Sequence, residues 1–493
     1  MTDQHFDIAI IGAGPGGYSA ALRAAELGKT VALIERDATV GGTCLNRGCI
    51  PSKALLTAAH SAENIRSAER MGINATLQSI DFGKLKDFRM SAVETMTKGL
   101  SGLLAHRGVT IFQGNGEPAG DDVVRITPTD DGGQVLCTLK AGIAQPVGEQ
   151  LTITAEHTIL ATGSSPLPFP GSPFSSAIID STQALELDTF PSSAVIVGSG
   201  AIALEFASLW NAAGCDVTLL IRKDRVLSAW DKRVSSTLTR ELKRRGVNVI
   251  TRSSVSRMQT GANLGVTVHY TQNGSEEEHT TYGEIALVAI GRSPNTQSPW
   301  FAEQNIVLDD HGYVETDEYG LTNREHTWAL GDITTGPALA HKAFAQGIVI
   351  AERIAGLNPK PVCDETIPQV VFSFPEAASV GITLTEAKER EDIVDPKETA
   401  YPVMANSRML MSAEGGSMTL VTGALSSNPQ TALVLGAHIV APNASDLIAE
   451  AQQLVGNRVP LAGASQLIHP HPTFSEMFGE ALLKADGRPL HTR

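Results

Sequence analysis

The strongest constraint in this chain is a glycine-rich turn that occurs twice, each time after an apolar run and before an alanine-rich stretch. Residues 6–11 (Phe-Asp-Ile-Ala-Ile-Ile) read as a buried strand, residues 12–17 as a turn, 18–27 as a helix and 30–34 as a second strand. A second copy follows well over a hundred residues later, with strand 194–197, turn 198–200, helix 201–213 and strand 217–221. The first turn, with Gly12, Gly14 and Gly17, fits G-x-G-x-x-G, and the second, with Gly198, Gly200 and Ala203, fits G-x-G-x-x-A. In such a βαβ unit the first glycine makes the turn, the second admits a pyrophosphate, and the third lets helix and strand pack closely. Two dinucleotide sites in one chain are therefore expected. Glu35, just past the second strand, is placed to accept hydrogen bonds from a ribose hydroxyl.

At 493 residues, 42% hydrophobic, the chain is long enough for about three or four domains. The net charge of −15 makes nucleic acid a poor partner. No run approaches the roughly 18 apolar residues a membrane span needs, so neither insertion nor secretion is expected. Five cysteines do not make a secreted disulfide framework, and a cytoplasmic setting is the default.

The predicted fold class is α/β: two Rossmann-like dinucleotide-binding domains followed by a C-terminal α+β domain. Residues 1–155 are expected to form the first part of the first dinucleotide-binding domain, including a long helix over 52–70 and a β-meander over 123–153 that turns at Asp130-Asp131-Gly132-Gly133. Residues 156–290 would form the second dinucleotide-binding domain, 291–358 a central second part of the first, and 359–493, after Pro359-Lys360-Pro361, a separate final domain.

Residues 41–53 (Gly-Gly-Thr-Cys-Leu-Asn-Arg-Gly-Cys-Ile-Pro-Ser-Lys) carry the chemistry. Cys44 and Cys49, five positions apart at the opening of a helix, can reach one another, and the helix dipole favours thiolate over thiol. Such a pair can be reduced and reoxidised. A zinc centre would need further ligands, yet the next cysteine is Cys137. No metal is expected.

This stretch closely resembles the redox-disulfide signature of the pyridine nucleotide disulfide oxidoreductases, and Leu45-Asn46 with residues 50–53 looks like the members that oxidise dihydrolipoamide. The resemblance covers residues 6–480 and implies that 1–155 is the first part of an FAD-binding domain, that 156–290 binds NAD(P), that 291–358 completes the FAD-binding or central domain, and that 359–493 is a dimerisation domain. It implies that Cys44 exchanges with substrate sulfur, that Cys49 lies against the flavin as a charge-transfer thiolate, and that Lys53 sits near flavin N5. Gly116, in Gly114-Asn115-Gly116, resembles a flavin-side turn, and Thr162, Gly163 and Ser164 resemble the crossover to the nicotinamide domain. Asp332 resembles the acceptor for the ribityl chain, while Ala338, Leu339, Ala340 and His341 would flank the isoalloxazine. Glu205 matches the family glutamate facing Lys53, and Gly291 lies in Ala289-Ile290-Gly291-Arg292-Ser293-Pro294-Asn295, which resembles the family turn at the end of the nicotinamide domain.

The second nucleotide site departs from the first. At the same distance beyond its first glycine where the first motif has Glu35, the second has Ile221, followed by Arg222 and Lys223. Losing the carboxylate deletes a ribose acceptor, and the cations can pair with a 2′-phosphate. Ile221-Arg222 is similar to NADPH-using members, so the second cofactor is expected to be NAD or NADP, with a lean toward NADP.

In residues 469–476 (His-Pro-His-Pro-Thr-Phe-Ser-Glu), a histidine and a glutamate stand five apart around a turn. A thiol must lose its proton before it attacks a disulfide, and imidazole oriented by a carboxylate suits that task. The family dyad assigns His471 as base and Glu476 as its partner, with His469 structural. Because the family's dyad reaches the other subunit's disulfide, the resemblance implies a homodimer. The expected activity is oxidation of a lipoylated protein's dihydrolipoamide arm through Cys44, Cys49 and FAD to NAD(P)+. The rivals are an NADPH-dependent reductase of a glutathione-like disulfide, suggested by Ile221-Arg222, and a barely active flavoprotein held in a multienzyme assembly. A mercuric reductase would need a further C-terminal cysteine pair, and no cysteine follows Cys363.

Overall fold

The computed structural model describes residues 4–130, 133–138, 144–261 and 265–492, so the Asp131-Gly132 turn lies outside the described residues. The chain divides into two compact units. One comprises Met1–Ala54, Gly83–Pro166 and Arg292–Asp364, and the other Leu55–Phe82, Leu167–Gly291 and Glu365–Arg493.

The first unit is built on a nine-stranded sheet with a parallel centre. Strand Gln4–Ile11 lies between Val31–Glu35 and Leu151–Leu160, and both pairings are parallel, with Ile11 opposite Ile34 and Leu160. Thr110–Gln113 and Thr327–Ala329 extend the parallel part. Strand Val31–Glu35 is buried throughout, as a parallel strand covered on both faces must be. Helices Pro15–Glu26 and Ala340–Ile354 pack closely: a Cβ at Gly16 would touch Ala343, and one at Gly347 would lie 2.3 Å from Ser19 Oγ.

The expected meander over 123–153 is corrected here. Val123–Thr127 pairs with Asn115–Pro118 and Leu151–Leu160 on one side of the parallel centre, whereas Val135–Thr138 and Ala144–Gly148 pair beside Thr110–Gln113 on the other. Alternation in the sequence marks each strand but carries nothing about its neighbour, and here the parallel strands separate the two hairpin halves. The boundary expected at 155/156 falls within strand Leu151–Leu160, whose last residues Ile159 and Leu160 belong to this core.

The second unit holds a five-stranded parallel sheet in the order Ile178–Ile179, Ile285–Val288, Ser193–Val197, Asp216–Leu220 and Asn248–Ile250. It also holds a five-stranded antiparallel sheet, formed by Gln369–Val371, Glu376–Gly381, Asn428–Ala441, Ser417–Leu425 and Ile393–Tyr401. Helices Ala444–Gly456 and Glu476–Ala485 bury Ile448, Leu454, Met477 and Phe478 against this sheet. Among the described residues, no helix is long and apolar enough to cross a membrane.

Candidate active site

The first glycine turn is closed behind and open in front. Gly12 has φ +107°, and a Cβ there would sit 2.3 Å from the Ala161 carbonyl oxygen; one at Gly17 would sit 1.8 Å from Gly12 O. At Gly14 the nearest atom to an added Cβ is 4.0 Å away, so this face admits a ligand's phosphates close to the backbone at the start of helix Pro15–Glu26. Glu35 is only 6% exposed. Its carboxylate accepts from the Ala13 N–H at 2.9 Å and the Asp37 N–H at 3.0 Å. Burial pushes its pKa up despite those two bonds. A buried carboxylate with acceptor capacity left over suits a ribose diol, and the turn and acid together fit the dinucleotide half of FAD.

The redox segment folds as two helices, Gly42–Arg47 and Cys49–Ser67, broken at Gly48. Cys44 lies in the first and Cys49 opens the second, and their side chains are hydrogen-bonded. The bond with Cys49 and the burial of Cys44 raise its pKa well above the ordinary thiol value, and the positive charge of Lys53 opposes this only in part. Lys53 Nζ also lies 3.3 Å from Ser52 Oγ.

The crossover residues are tied together within the first unit. Thr162 Oγ1 donates to Asn295 O at 2.9 Å, and Asn295 Nδ2 returns a bond to Thr162 O at 2.8 Å. Ser164 Oγ donates to Asp332 Oδ2 at 2.6 Å while accepting from Arg292 Nε at 2.7 Å, and Asn295 N–H donates to Gly163 O. Arg292 and Asn295 entered the sequence reading only as part of a turn; their side chains prove to orient Ser164 and Thr162. Gly116 stands in strand Asn115–Pro118, where a Cβ would lie 2.9 Å from Ile34 Cγ2. Leu339 precedes helix Ala340–Ile354, and Ala338 and His341 are exposed.

In the second unit, Gly198 repeats Gly12. It has φ +145°, and an added Cβ would lie 2.2 Å from Ala289 O, whereas at Gly200 nothing lies within 4 Å. Ala203 is fully buried, which shows why alanine serves at the third position. Ile221 is also fully buried, Arg222 and Lys223 are exposed, and the following loop is pinned to the turn by Leu227 N–H donating to Ser199 O at 3.0 Å. Gly291 keeps φ +147°. Glu205 is buried and accepts from the Phe372 N–H at 3.2 Å; Lys53 belongs to the other unit.

His471 and Glu476 meet as expected. His471 Nδ1 lies 2.7 Å from Glu476 Oε1, and Glu476 Oε2 accepts from the Thr473 N–H at 2.8 Å. Partial burial pushes the Glu476 carboxyl up, but these partners outweigh it and leave the pKa below its ordinary value. The carboxylate can only accept, so Nδ1 carries the hydrogen and Nε2 is the basic atom. The imidazole is 76% exposed, open to an incoming thiol. His469 bonds instead to Glu450 at 2.7 Å, which raises its pKa.

Paired cysteines beside one glycine turn, a second such turn and a His–Glu dyad define a flavin- and nicotinamide-linked disulfide reductase architecture. The family model described as pyridine nucleotide-disulphide oxidoreductase matches residues 6–347, and that family's dimerisation-domain model matches residues 367–482. The chain belongs to this family. It is 37% identical to a dihydrolipoyl dehydrogenase of Chlamydia pneumoniae, covering 99% of this chain and 98% of that one. It is 38% identical to the dihydrolipoyl dehydrogenase of Geobacillus stearothermophilus, with 98% and 96% covered. The crystal structure of LpdA from Mycobacterium tuberculosis matches with a TM-score of 0.83 at 26% identity, over 98% of this chain and 99% of that chain.

Proposed function

We propose that the chain is a dihydrolipoyl dehydrogenase: an FAD-dependent enzyme that oxidises a lipoylated protein's dihydrolipoamide arm with NAD(P)+, working as a homodimer in the cytoplasm. The observation that carries this reading is the hydrogen-bonded Cys44–Cys49 pair in a chain that also builds a His471–Glu476 base. The similarity to curated dihydrolipoyl dehydrogenases over nearly the whole length supports the substrate.

His471 Nε2 takes the proton of one substrate thiol, and Glu476 stabilises the resulting imidazolium. The substrate thiolate attacks Cys44 Sγ in the oxidised enzyme, breaking the Cys44–Cys49 bond and expelling Cys49 as thiolate. The second substrate thiol then displaces Cys44, which leaves carrying that thiol's proton; its raised pKa suits this end state. The substrate leaves as a disulfide, with one proton on Cys44 and one on His471. In the dimer, the dyad of one protomer would serve the cysteine pair of the other.

Gly12, Gly14, Gly17, Glu35, Lys53, Gly116, Thr162, Gly163, Ser164, Asp332 and residues 338–341 would hold FAD, which when bound supplies the route from the Cys49 thiolate to nicotinamide. Gly198, Gly200, Ala203, Glu205, Arg222 and Gly291 would hold NAD(P). The buried Ile221 and exposed Arg222 favour NADP, and the same pair supports the second reading, an NADPH-dependent reductase of a glutathione-like disulfide.

Parallel turnover assays with dihydrolipoamide and with oxidised glutathione, each with both nicotinamides, separate the readings; activity on glutathione disulfide alone overturns the first. In stopped flow, His471→Gln should slow reduction by dihydrolipoamide by about 10²–10⁴-fold while leaving reduction by NAD(P)H nearly intact, since only the thiol half-reaction needs a base. Equal slowing of both halves would remove His471 from the chemistry.

A further inference from the structure

Among the described residues Lys342 is the only buried lysine, at 2% exposure. It is the third residue of helix Ala340–Ile354, where the helix dipole disfavours a cation, so both burial and position work against it. Its Nζ donates to the carbonyl oxygens of Thr335 and, at 3.5 Å, of Thr334. One helical turn on, Gln346 Oε1 accepts from the Gly331 N–H at 2.9 Å, and Gln346 Nε2 donates to Thr334 Oγ1 at 3.4 Å. Thr334 Oγ1 itself donates to Gly331 O at 2.9 Å. Two side chains on one helix face thus grip residues 331–335 at both ends. That segment carries Asp332, already held by Ser164, and runs on to the exposed Ala338 and His341. Burial pulls the Lys342 pKa down, and the negative charges of Asp364 and Asp332 oppose this only in part. An apolar side chain would pack such a slot without these penalties.

We propose that Lys342 is a positioning residue: with Gln346 it clamps residues 331–335 to helix Ala340–Ile354 and so fixes Asp332 and the 338–341 edge as a rigid wall for the flavin. This rests on the reading that the segment holds FAD.

The test compares wild type with Lys342→Met, which keeps the length and loses the donors, and Lys342→Gln, which keeps amide donors. FAD affinity is measured by fluorescence on reconstitution, alongside the visible spectrum of the holoprotein and the thermal midpoint of the flavin-free protein. Lys342→Met should weaken FAD binding by about tenfold or more, the loss of one charge-assisted hydrogen bond, and blur the fine structure of the flavin band. Its flavin-free midpoint should stay level or rise, because a buried charge is gone. Lys342→Gln should recover most of the affinity. A Met variant that binds FAD as wild type does, or whose flavin-free midpoint falls in step with its affinity, overturns the proposal. A wild-type protein that takes up no FAD sinks the cofactor reading and the proposal with it.

Discussion

The two glycine turns share a skeleton and differ in one side chain. Behind each first glycine a carbonyl oxygen closes the space, from Ala161 in one and Ala289 in the other, and before each second glycine the space is open. The backbone problem is the same twice, so glycine recurs at the same positions. Beyond the second strand the turns part: Glu35 is buried and turned back onto the Ala13 N–H, while Ile221 is buried with no polar function and the chain presents Arg222 and Lys223 to solvent. On the proposed reading, phosphate recognition would rest on the backbone and ribose recognition on a side chain, so the second could change while the first is held.

The largest effect is expected where the shared skeleton is attacked. Gly12→Ala puts a Cβ 2.3 Å from a main-chain oxygen at φ +107°, combining overpacking with backbone strain, each about 1–3 kcal/mol. Gly200→Ala meets nothing within 4 Å and should leave stability within about 0.5 kcal/mol while raising KM for the nicotinamide cofactor. Thermal unfolding and steady-state kinetics of the two variants test this. An unaltered midpoint in Gly12→Ala would mean that the turn can relax and that its likeness to the second turn is superficial.

A middle effect tests the difference. Arg222→Ala should lower kcat/KM for NADP(H) about ten- to a hundredfold more than for NAD(H), the loss of one charge-assisted contact of about 1.5–3 kcal/mol. Equal losses with both nicotinamides would return Arg222 to ordinary surface.

What could be read from the sequence follows the same division. The turns, the His471–Glu476 bond and the strands that flank each turn are legible because each rests on local spacing. Strand neighbours are not: nothing in residues 123–153 says that Val135–Thr138 will pair with Thr110–Gln113 and Val123–Thr127 with Leu151–Leu160. Nor does Ala340-His341-Lys342-Ala343 say that its lysine is buried, since the carbonyl groups that receive it belong to a preceding loop and are polar in any sequence.

The smallest effect sets the buried acid of one turn against the buried isoleucine of the other. Burial holds the Glu35 pKa above its ordinary 4.5, so the folded protein retains that proton to higher pH than the unfolded chain does. Its contribution to stability is therefore complete below about 4.5 and is lost as the pH rises through the folded value. The slope from a single group is at most about 1.4 kcal/mol per pH unit. Denaturant titrations of flavin-free wild type and Glu35→Gln between pH 4 and 7 should converge at the acid end as far as Gln replaces the protonated acid's hydrogen bonds, with Glu35→Gln gaining relative stability as the pH rises. Ile221→Glu, judged against Ile221→Gln, should introduce the same sign of slope at the second turn, because it places a carboxyl where the fold buries isoleucine. If Glu35→Gln instead loses ground with rising pH, the Ala13 and Asp37 N–H bonds outweigh desolvation, and the first turn favours the carboxylate before any ribose arrives.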